Sequence, residues 1–311
     1  MPAKIPSSFV LNPDVAQALA LNAPLVALES TVITHGLPQP QNLQLARDME
    51  KEVRSQSAVP ATIAILDGKI HIGLNDAQLE RLAFGKTPVR KISRRDFGIA
   101  IARREDGSTT VAGTLIVAHR VGIRVMATGG IGGVHRNAPF DVSSDLPALG
   151  ATPIVVVCSG AKAILDLPAT LETLETMGVP VVGYQTDELP AFYSRTSGLP
   201  VTVSASSPGE IAAIARAQWE MGISSAILVV NPPPEEVVLP YEEVEQIIQA
   251  ALLDAEQKKI HGAALTPFLL QRVSELSGGV SLRANLALLL SNARLAARIA
   301  VEISQKTKTI L

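Results

Sequence analysis

The middle of the chain alternates between short apolar runs and segments with helical spacing, and this alternation constrains the fold more than any other feature. The apolar runs at 123–127, 153–158, 179–184 and 225–230 are rich in β-branched residues, which favour strands. Helical spacing is found at 110–120, 164–177 and 208–221, and a short helix is predicted around Leu146. Strands that alternate with helices are typical of parallel βαβ units. We therefore predict an α/β fold, a three-layer α/β/α arrangement with a mixed, largely parallel sheet.

The flanking segments add further elements. We predict strands at 24–33 and 97–102, a helix at 41–56, and a hairpin of 62–66 with 69–73, because Asp67-Gly68 suits the positive φ angles of a type I′ turn. Asn75 and Asp76 are expected to cap a short helix that runs to Leu82. A long helix at 241–259 and a helical stretch at 267–304, interrupted at 277–279, follow. With no internal repeat and no long linker, residues 1–311 are predicted to form a single domain.

Composition and charge exclude several classes of protein. With 47% apolar and 18% charged residues, the chain can bury a substantial core. A net charge of -2 and only 3% aromatic residues argue against nucleic acid or an anionic membrane as the main partner. No apolar run approaches the ~20 residues that cross a bilayer, and the first ten residues do not resemble a secretory signal. The near-neutral charge favours a small-molecule partner. A single cysteine allows no internal disulfide, which agrees with a reducing compartment, so we expect a cytoplasmic protein.

A glycine loop, Gly129-Gly130-Ile131-Gly132-Gly133, follows one predicted strand. Such loops can let backbone amides approach a phosphate. The dinucleotide-binding fingerprint is incomplete, because His135 stands where its third glycine is required. Gly85-Lys86-Thr87 likewise fails as a Walker A motif, because Glu80 occupies the position of the first glycine. The glycine loop is therefore either a tight structural turn or a cradle for a phosphate or a sugar.

Four side chains near the predicted strands are candidates for catalysis. Glu29 ends an apolar run, so burial would raise its pKa and fit it for proton donation, or it faces water at a strand end. His35 could join Glu29 or cap the turn. Lys162 follows the strand at 153–158, where an amine could form a Schiff base with an opened sugar, or it is a solvent-exposed lysine. Cys158 is a possible nucleophile, but its apolar strand favours a buried, inert thiol.

Two further groups of polar residues are candidates for binding phosphate and metal. A cationic cluster fits either a phosphorylated substrate or a solvated face; it consists of Lys86, Arg90, Lys91, Arg94 and Arg95. His135, Asp141 and Asp145 offer nitrogen and oxygen donors to a divalent ion. The chain has no thiolate pair and no H-E-x-x-H motif, which favours Mn²⁺ or Mg²⁺ over Zn²⁺. Asp145, next to Ser143 and Ser144, could instead cap a helix.

Six segments occur in the order found in one family. They are Glu29-Ser-Thr-Val-Ile-Thr-His-Gly-Leu-Pro, Lys91-Ile-Ser-Arg-Arg-Asp, Thr128-Gly-Gly-Ile-Gly-Gly-Val-His-Arg, Phe140-Asp-Val-Ser-Ser-Asp, Val157-Cys-Ser-Gly-Ala-Lys and Arg283-Ala-Asn-Leu-Ala. Over nearly its whole length the chain resembles the pseudouridine-5′-phosphate glycosidases, the group that includes the indigoidine synthase A proteins. The resemblance implies an enzyme that reversibly cleaves the carbon–carbon glycosidic bond of pseudouridine 5′-phosphate to give uracil and ribose 5-phosphate.

The resemblance also implies residue roles. Lys162 would attack the anomeric carbon and form a Schiff base, because a carbon leaving group requires an electron sink, and Glu29 would donate a proton. Asp141 matches a manganese ligand, with Asp145 as the alternative, so one Mn²⁺ per subunit is expected, with Mg²⁺ or another divalent ion possible. The substrate-binding residues implied are Lys91, Thr110, Val111, Thr128, His135, Ser143, Ser144, Asp145 and Asn285. The family is trimeric, so we expect a homotrimer in which the apolar helices around 286–299 pack between subunits.

Two other classes share parts of this pattern. A ribokinase-like sugar kinase would have similar layers and bind a sugar phosphate. It would also need an anion hole for ATP and a catalytic Asp in a late glycine-rich segment, which 277–280 supplies poorly; consumption of ATP would distinguish it. A non-catalytic relative that serves as a binding or pathway-partner protein is the other alternative, and the presence of both Lys162 and Glu29 argues against it.

Overall fold

The structure, a computed structural model, describes residues 6–85, 87–136, 138–260 and 265–305. Lys86, at one end of the cationic cluster, lies outside the described residues. The strands are β1 (Phe9–Leu11), β2 (Leu25–Leu28), β3 (Val59–Leu66), β4 (Lys69–Ile72), β5 (Arg90–Ile92), β6 (Gly107–Thr109), β7 (Val125–Ala127), β8 (Val134–His135), β9 (Ala138–Val142), β10 (Val155–Cys158), β11 (Leu165–Asp166), β12 (Val181–Tyr184), β13 (Val203–Ala205) and β14 (Ile227–Val230).

Helices connect these strands. They are α1 (Pro13–Ala20), α2 (Gln41–Ser55), α3 (Asp76–Phe84), α4 (Phe97–Arg103), α5 (Val111–Val121), α6 (Asp145–Leu149), α7 (Leu167–Thr176), α8 (Pro208–Glu220), α9 (Tyr241–Gln257), α10 (Leu265–Leu276) and α11 (Val280–Ser304). A π-helical turn at Val32–Gly36 follows β2, and a 3-10 turn at Glu235–Val237 follows β14.

The described strands build one large sheet and one small one. The large sheet has 11 strands, with the path β1-β4-β3-β2-β7-β10-β14-β12-β13, and β5 and β6 branch from β3. Its neighbours pair in parallel except where β3 meets β4 and β6. The small sheet, β11-β8-β9, is antiparallel. The predicted α/β fold with a mixed, largely parallel sheet is therefore confirmed.

The longest described helix, α11, is part of the core. It packs against β2, β7 and β10 and also contacts α2 and α8. Leu288, Leu289 and Ala293 on this helix are buried within the chain itself. The expectation that the apolar residues at 286–299 pack between subunits is wrong for these side chains, because the sheet of the same chain already covers them. Neither α11 nor any other helix in the described part of the chain is long and apolar enough to cross a membrane.

Segments with strong local signals fold as predicted. The hairpin of β3 and β4 turns at Asp67 and Gly68, whose φ angles of 51° and 74° are those of a type I′ turn. Asn75 caps α3, since its side chain accepts from the Gln78 N–H while the Gln78 side chain accepts from the Asn75 N–H. The predicted helices at 41–56, 208–221 and 241–259 correspond to α2, α8 and α9, and the break at 277–279 separates α10 from α11.

Three predicted elements differ from the structure. The predicted strand at 97–102 is wrong, because this segment forms α4; only Ala100 is buried there, and Ile99 is exposed. A short apolar run does not distinguish a strand from a helix by periodicity. The predicted strand at 24–33 ends at Leu28, and the chain then enters the π-helical turn. The helix at 164–177 begins only at Leu167, because Asp166 caps it by accepting from the Ala169 N–H at 3.0 Å.

Candidate active site

A cavity with two compartments opens beyond the carboxyl ends of β2, β7 and β10. The polar compartment, of about 830 Å³, is lined by Lys91, Ser93, Arg94, Arg95, Asp96, Thr110, Val111, Gly132, His135, Asp141, Val142, Ser143, Ser144, Asp145 and Leu165. The apolar compartment, of about 50 Å³, is lined by Val32, His35, Gly36, Thr128, Gly129, Gly130, Phe192, Pro267, Leu270, Asn285 and Leu289. Both compartments contact Glu29, Thr31, Lys91, Lys162 and Thr266. These shared residues mark the junction between the polar compartment and the apolar compartment.

Every residue to which the family resemblance assigns a role lies at this cavity. Glu29, Lys91 and Lys162 lie at the junction, and Thr128 and Asn285 line the apolar compartment. The remaining ones line the polar compartment and are Thr110, Val111, His135, Asp141, Ser143, Ser144 and Asp145. Residues that are far apart in the sequence therefore meet where the carboxyl ends of parallel strands converge, which is where ligands bind in open α/β sheets.

Glu29 owes its position to strand pairing. Leu28 at the end of β2 pairs with Ala127 at the end of β7, so the next residues, Glu29 and Thr128, stand side by side. The Thr128 hydroxyl donates to Glu29 Oε1 at 2.5 Å. Burial raises the pKa of the Glu29 carboxyl, while the charge of Lys162 and the Thr128 hydrogen bond oppose that rise. Of the two alternatives for Glu29, the structure shows the buried carboxyl rather than one that faces water at a strand end.

Lys162 is held by a short continuation of the sheet beyond β10. Ile131 and Ala161 form a parallel bridge, and the Lys162 N–H donates to the Ile131 carbonyl at 3.1 Å. Gly160 has a φ of +87°, and a Cβ there would lie 2.3 Å from the Pro190 carbonyl oxygen. Only glycine fits this turn, which carries the chain from β10 to Lys162. Lys162 contacts both compartments, so the structure does not place it as a solvent-exposed lysine.

The glycine loop is a tightly packed turn. A Cβ on Gly132 would lie 2.2 Å from Ser143 Oγ, and a Cβ on Gly130 would lie 2.6 Å from the Phe192 ring. The Gly132 N–H donates to Asp145 Oδ2 at 2.9 Å, so this amide already has a partner inside the protein. The close contacts alone account for glycine at these two positions, which favours the structural turn over the cradle.

Asp145 links the glycine loop to α5. Its Oδ1 accepts from the Ala112 N–H in the first turn of α5 at 2.9 Å, while its Oδ2 accepts from Gly132. Thr110 caps the same helix, since its side chain accepts from the Gly113 N–H at 3.2 Å. The sequence left open whether Asp145 caps the helix that it begins. It instead satisfies a backbone amide of another helix, where the helix dipole favours a carboxylate.

The two candidate metal ligands differ in environment. Asp145 is buried with both oxygens bonded to backbone amides, whereas Asp141 is exposed on β9 at the wall of the polar compartment. In the described part of the chain, no group of three or more His, Cys, Asp or Glu side chains is placed to hold a metal ion. A divalent ion here would therefore keep most of its water ligands, and Asp141 is the carboxylate with room for it.

The cationic cluster divides between two places. Lys91, Arg94 and Arg95 line the polar compartment. Burial and the neighbouring charge of Lys162 lower the pKa of Lys91. Arg90 instead pairs with Glu105 at 2.5 Å and lines a separate surface pocket. Part of the cluster thus faces the cavity, and part is engaged in an ion pair elsewhere.

Several residues of the apolar compartment have no sequence signal for function. Phe192, Pro267, Leu270 and Leu289 resemble core residues in sequence. His35 lines this compartment near Glu29, and its Nδ1 lies 2.6 Å from the Thr34 hydroxyl; burial lowers its pKa. The contact between Phe192 and Gly130 joins segments that are far apart in the sequence, so no local pattern encodes it.

Cys158 matches the inert alternative. It is fully buried at the end of β10, and burial raises the pKa of its thiol to about 12. A nucleophilic cysteine needs a thiolate at neutral pH and access to substrate, and Cys158 has neither.

Comparison with known proteins identifies the class of enzyme. The model of the indigoidine synthase A-like family matches residues 14–302, so the chain belongs to this family. A protein of Paracoccus denitrificans named pseudouridine-5′-phosphate glycosidase is 53% identical over 305 residues, which cover 96% of this chain and 100% of that protein. The predictions that the chain belongs to this family and that it is an enzyme are thereby confirmed.

Two solved structures share the fold. The prealnumycin C-glycosynthase AlnA, determined in complex with ribulose 5-phosphate, has a TM-score of 0.89 and 40% identity, covering 96% of this chain and 98% of that chain. An indigoidine synthase A-like protein from Thermotoga maritima has a TM-score of 0.86 and 38% identity, covering 92% of this chain and 94% of that chain. These matches favour the family over the sugar-kinase alternative.

The different environments of Asp145 and Asp141 lead to a stability prediction. Replacing Asp145 with Asn leaves one of the two backbone amides facing an NH₂ group, so we expect the free energy of unfolding to fall by about 2 kcal/mol. Asp141→Asn, the matched exposed change, should alter it by less than about 0.5 kcal/mol. Urea unfolding of both variants measures the difference. Equal stabilities would contradict the structural role assigned to Asp145.

Proposed function

We propose that the protein catalyses the reversible cleavage of pseudouridine 5′-phosphate into uracil and ribose 5-phosphate. The observation that carries the proposal is the position of Lys162 and Glu29 at the junction of the two compartments. A substrate with its phosphorylated sugar in the polar compartment and its base in the apolar one would place the bond between sugar and base beside both side chains. The names of the curated relatives point to the same substrate.

The polar compartment supplies the charge that a sugar phosphate requires. Lys91, Arg94 and Arg95 are cationic, and a phosphate dianion would relieve the repulsion between Lys91 and Lys162 that lowers the pKa of Lys91. Val111 is the first residue of α5, so its N–H has no partner within the helix and is available to a substrate oxygen. AlnA, a relative at 40% identity, has been solved with a pentulose phosphate bound, which supports a pentose phosphate in this chamber.

A lysine suits the cleavage of a carbon–carbon glycosidic bond. A carbon leaving group is poorer than the heteroatom that ordinary glycosidases expel, so carboxylates alone do not suffice. The Lys162 amine would attack the anomeric carbon as the ring oxygen leaves and takes a proton. The nitrogen lone pair would then form an imine as the bond to the base breaks and the released carbon of uracil is protonated. Water would hydrolyse the imine, giving ribose 5-phosphate and free Lys162.

Glu29 would provide a proton for this sequence, at the ring oxygen or at the base. Its pKa is raised by burial, so the carboxyl keeps its proton at a higher pH than an exposed Glu does. Thr128 fixes its orientation through the hydrogen bond to Oε1. A protonated Glu29 also avoids burying a second charge next to Asp145, whose proximity contributes to the same rise in pKa.

A divalent ion, Mn²⁺ first and Mg²⁺ or another as alternatives, would be held by Asp141. A single exposed carboxylate at the wall of the chamber suits a hydrated, exchangeable ion. Such an ion would supply positive charge near the phosphate and order the solvent around it. A homotrimeric assembly also belongs to the proposal, and light scattering would test it, since a monomer mass at working concentration would contradict it.

The first prediction of this proposal concerns Lys162. Purified protein with Mn²⁺ and without ATP should release uracil and ribose 5-phosphate from pseudouridine 5′-phosphate, as measured by chromatography. Lys162→Ala should lower the rate by at least about 10³-fold, because the nucleophile is lost. Lys69→Ala, a change at an exposed lysine on β4, should leave the rate unchanged.

Borohydride adds a direct test of the same step. Reduction in the presence of ribose 5-phosphate should attach the sugar to the wild-type protein, and mass spectrometry should place it on Lys162. A trapped adduct that persists in Lys162→Ala would disprove the assignment. No release of uracil from folded, metal-supplied protein in either direction would mean that the family fold is present without this reaction.

The second prediction concerns pH. If Glu29 acts as a proton donor, kcat/KM must fall as pH rises through its pKa, and that fall should lie above the ordinary carboxyl value of 4.5 because burial raises the pKa. Glu29→Gln should lower kcat/KM and abolish this alkaline limb. Glu50→Gln removes another buried carboxyl, one bonded to Thr62 at 2.7 Å, and should leave the limb in place. A limb that survives in Glu29→Gln would assign it to another group.

The third prediction concerns the metal. A chelator should remove the activity and Mn²⁺ should restore it. Asp141→Asn should raise the Mn²⁺ concentration for half-maximal activity by at least about 10-fold, because the ion loses its carboxylate. Glu236→Gln, at an exposed carboxylate that does not line the cavity, serves as the control. Unchanged Mn²⁺ dependence in Asp141→Asn would remove Asp141 as the ligand.

A further inference from the structure

Asn292 is a buried amide on the inner face of α11. It has no solvent exposure. Burying an amide is unfavourable unless its donors and acceptor find partners. Its Nδ2 donates to the Thr128 carbonyl at 2.9 Å and to Ser159 Oγ at 3.1 Å, and its Oδ1 accepts from Asn231 Nδ2 at 3.0 Å. Both N–H groups and the carbonyl oxygen of this side chain are therefore engaged.

The three partners directly follow three adjacent strands, with Ser159 level with Asn231 and one residue beyond the level of Thr128. Thr128 is the first residue after β7, Ser159 the first after β10, and Asn231 the first after β14. These strands are neighbours in the sheet, and their ends are joined by backbone hydrogen bonds from Thr128 N to Val157 O and from Asn231 N to Cys158 O. One side chain thus ties together the carboxyl ends of three parallel strands, which is the edge on which the cavity is built.

Two of these partners lead directly to the reacting groups. The hydroxyl of Thr128 donates to Glu29 at 2.5 Å, and Asn292 holds the carbonyl of the same residue. Ser159 begins the turn that reaches Lys162, and this turn is paired with the glycine loop from Ser159 N to Gly129 O at 2.8 Å. Asn292 itself does not line either compartment. Its influence on the site therefore passes through Thr128 and Ser159.

The same helix contributes to the apolar compartment. Asn285 and Leu289 line it, and together with Asn292 they follow the spacing of one helical face. A helix that packs only by apolar contacts tolerates small shifts along its axis, because such contacts are not directional. The three directional hydrogen bonds of Asn292 fix α11 relative to the strand ends, and with it the positions of Asn285 and Leu289.

We propose that Asn292 is a positioning residue, which holds the Thr128 hydroxyl against the Glu29 carboxyl and keeps the wall of the apolar compartment in register, without contacting the substrate. This inference rests on the proposed cleavage of pseudouridine 5′-phosphate and deepens it. The charged side chains that act on Glu29 are Lys162, Lys91 and Asp145, whereas Asn292 bonds only to neutral groups. Asn292 acts on Glu29 through geometry and not through charge.

The test uses Asn292→Leu, which keeps the approximate volume and removes every hydrogen bond. We expect kcat to fall about 10-fold to 100-fold, the effect of a small misplacement of reacting groups, with KM for pseudouridine 5′-phosphate nearly unchanged. Without Asn292, Thr128 shifts and its hydroxyl loses the hydrogen bond to Glu29. That hydrogen bond lowers the pKa of Glu29. The alkaline limb of kcat/KM should therefore move to higher pH. Asn292→Ser, whose side chain is too short to reach Thr128, gives the same measurement if the leucine variant does not fold.

A double-mutant cycle separates positioning from general stability. Thr128→Val should shift the limb in the same direction, and Asn292→Leu combined with Thr128→Val should shift it no further than Thr128→Val alone. Ser225→Ala serves as the control, because its buried hydroxyl bonds to the Gly178 carbonyl at 2.6 Å near the opposite end of β14. It should lower the melting temperature and leave the limb and kcat in place.

The outcomes distinguish this inference from the function on which it rests. Wild-type protein that releases no uracil would overturn the proposed function itself. An active wild type whose Asn292 variants lose only melting temperature, as Ser225→Ala does, would overturn the positioning role and leave the function standing. Additive shifts in the double mutant would also overturn it, since they would show that Asn292 does not act through Thr128.

Discussion

Parallel pairing of β2, β7 and β10 is the constraint on which the site depends. Leu28 pairs with Ala127, and Ala127 pairs with Val157, so β2 and β7 end in register and β10 continues for one more residue. Side chains alternate between the two faces of a strand, so a slip of one residue would exchange every inward side chain for an outward one. A slip of one residue in β2 would place a different residue beside Thr128, and its side chain would point to the opposite face of the sheet. The apolar core that fixes the register therefore also fixes the chemistry at its edge.

The electrostatic balance in the cavity follows from this arrangement. Burial favours the neutral form of Glu29, and the nearby Lys162 favours the charged form; burial has the larger effect. For Lys91, burial and the charge of Lys162 act in the same direction, and both favour the neutral amine. The free site thus holds its lysines close together under mutual repulsion. An anionic ligand that enters the polar compartment gains from the relief of that repulsion as well as from direct contact.

The parts of the structure that local patterns encode are predictable from the sequence. The type I′ hairpin, the capping box of α3 and the long amphipathic helices depend on residues that are close in the chain. The short strands β5, β8 and β11 were not predicted, because two or three residues carry no periodicity and become strands only through pairing with distant segments. The prediction of a strand at 97–102 is wrong for a related reason, since periodicity in so short an apolar run does not distinguish a strand from a helix.

The site divides along a similar line. Glu29, Lys162 and the binding residues that the family resemblance implies can be named from the sequence, and all of them line the cavity. The apolar wall cannot, because Phe192 and Leu270 look like ordinary core residues, and only the fold brings them to the compartment that Glu29 also lines. Arg90 and Arg94 are equally basic and four residues apart. In the fold, Arg90 pairs with Glu105 and Arg94 lines the polar compartment, a difference that the sequence alone does not reveal.

The glycine loop differs from a phosphate-binding loop in what its amides and glycines contact. In a phosphate-binding loop, backbone amides point at the ligand, and glycines allow the close approach. Here the Gly132 amide binds Asp145, and the glycines accommodate Ser143 and Phe192. The positive charge of the polar compartment comes from side chains, those of Lys91, Arg94 and Arg95. Asp145 bridges the loop and α5, so the loop stabilises the wall of the polar compartment.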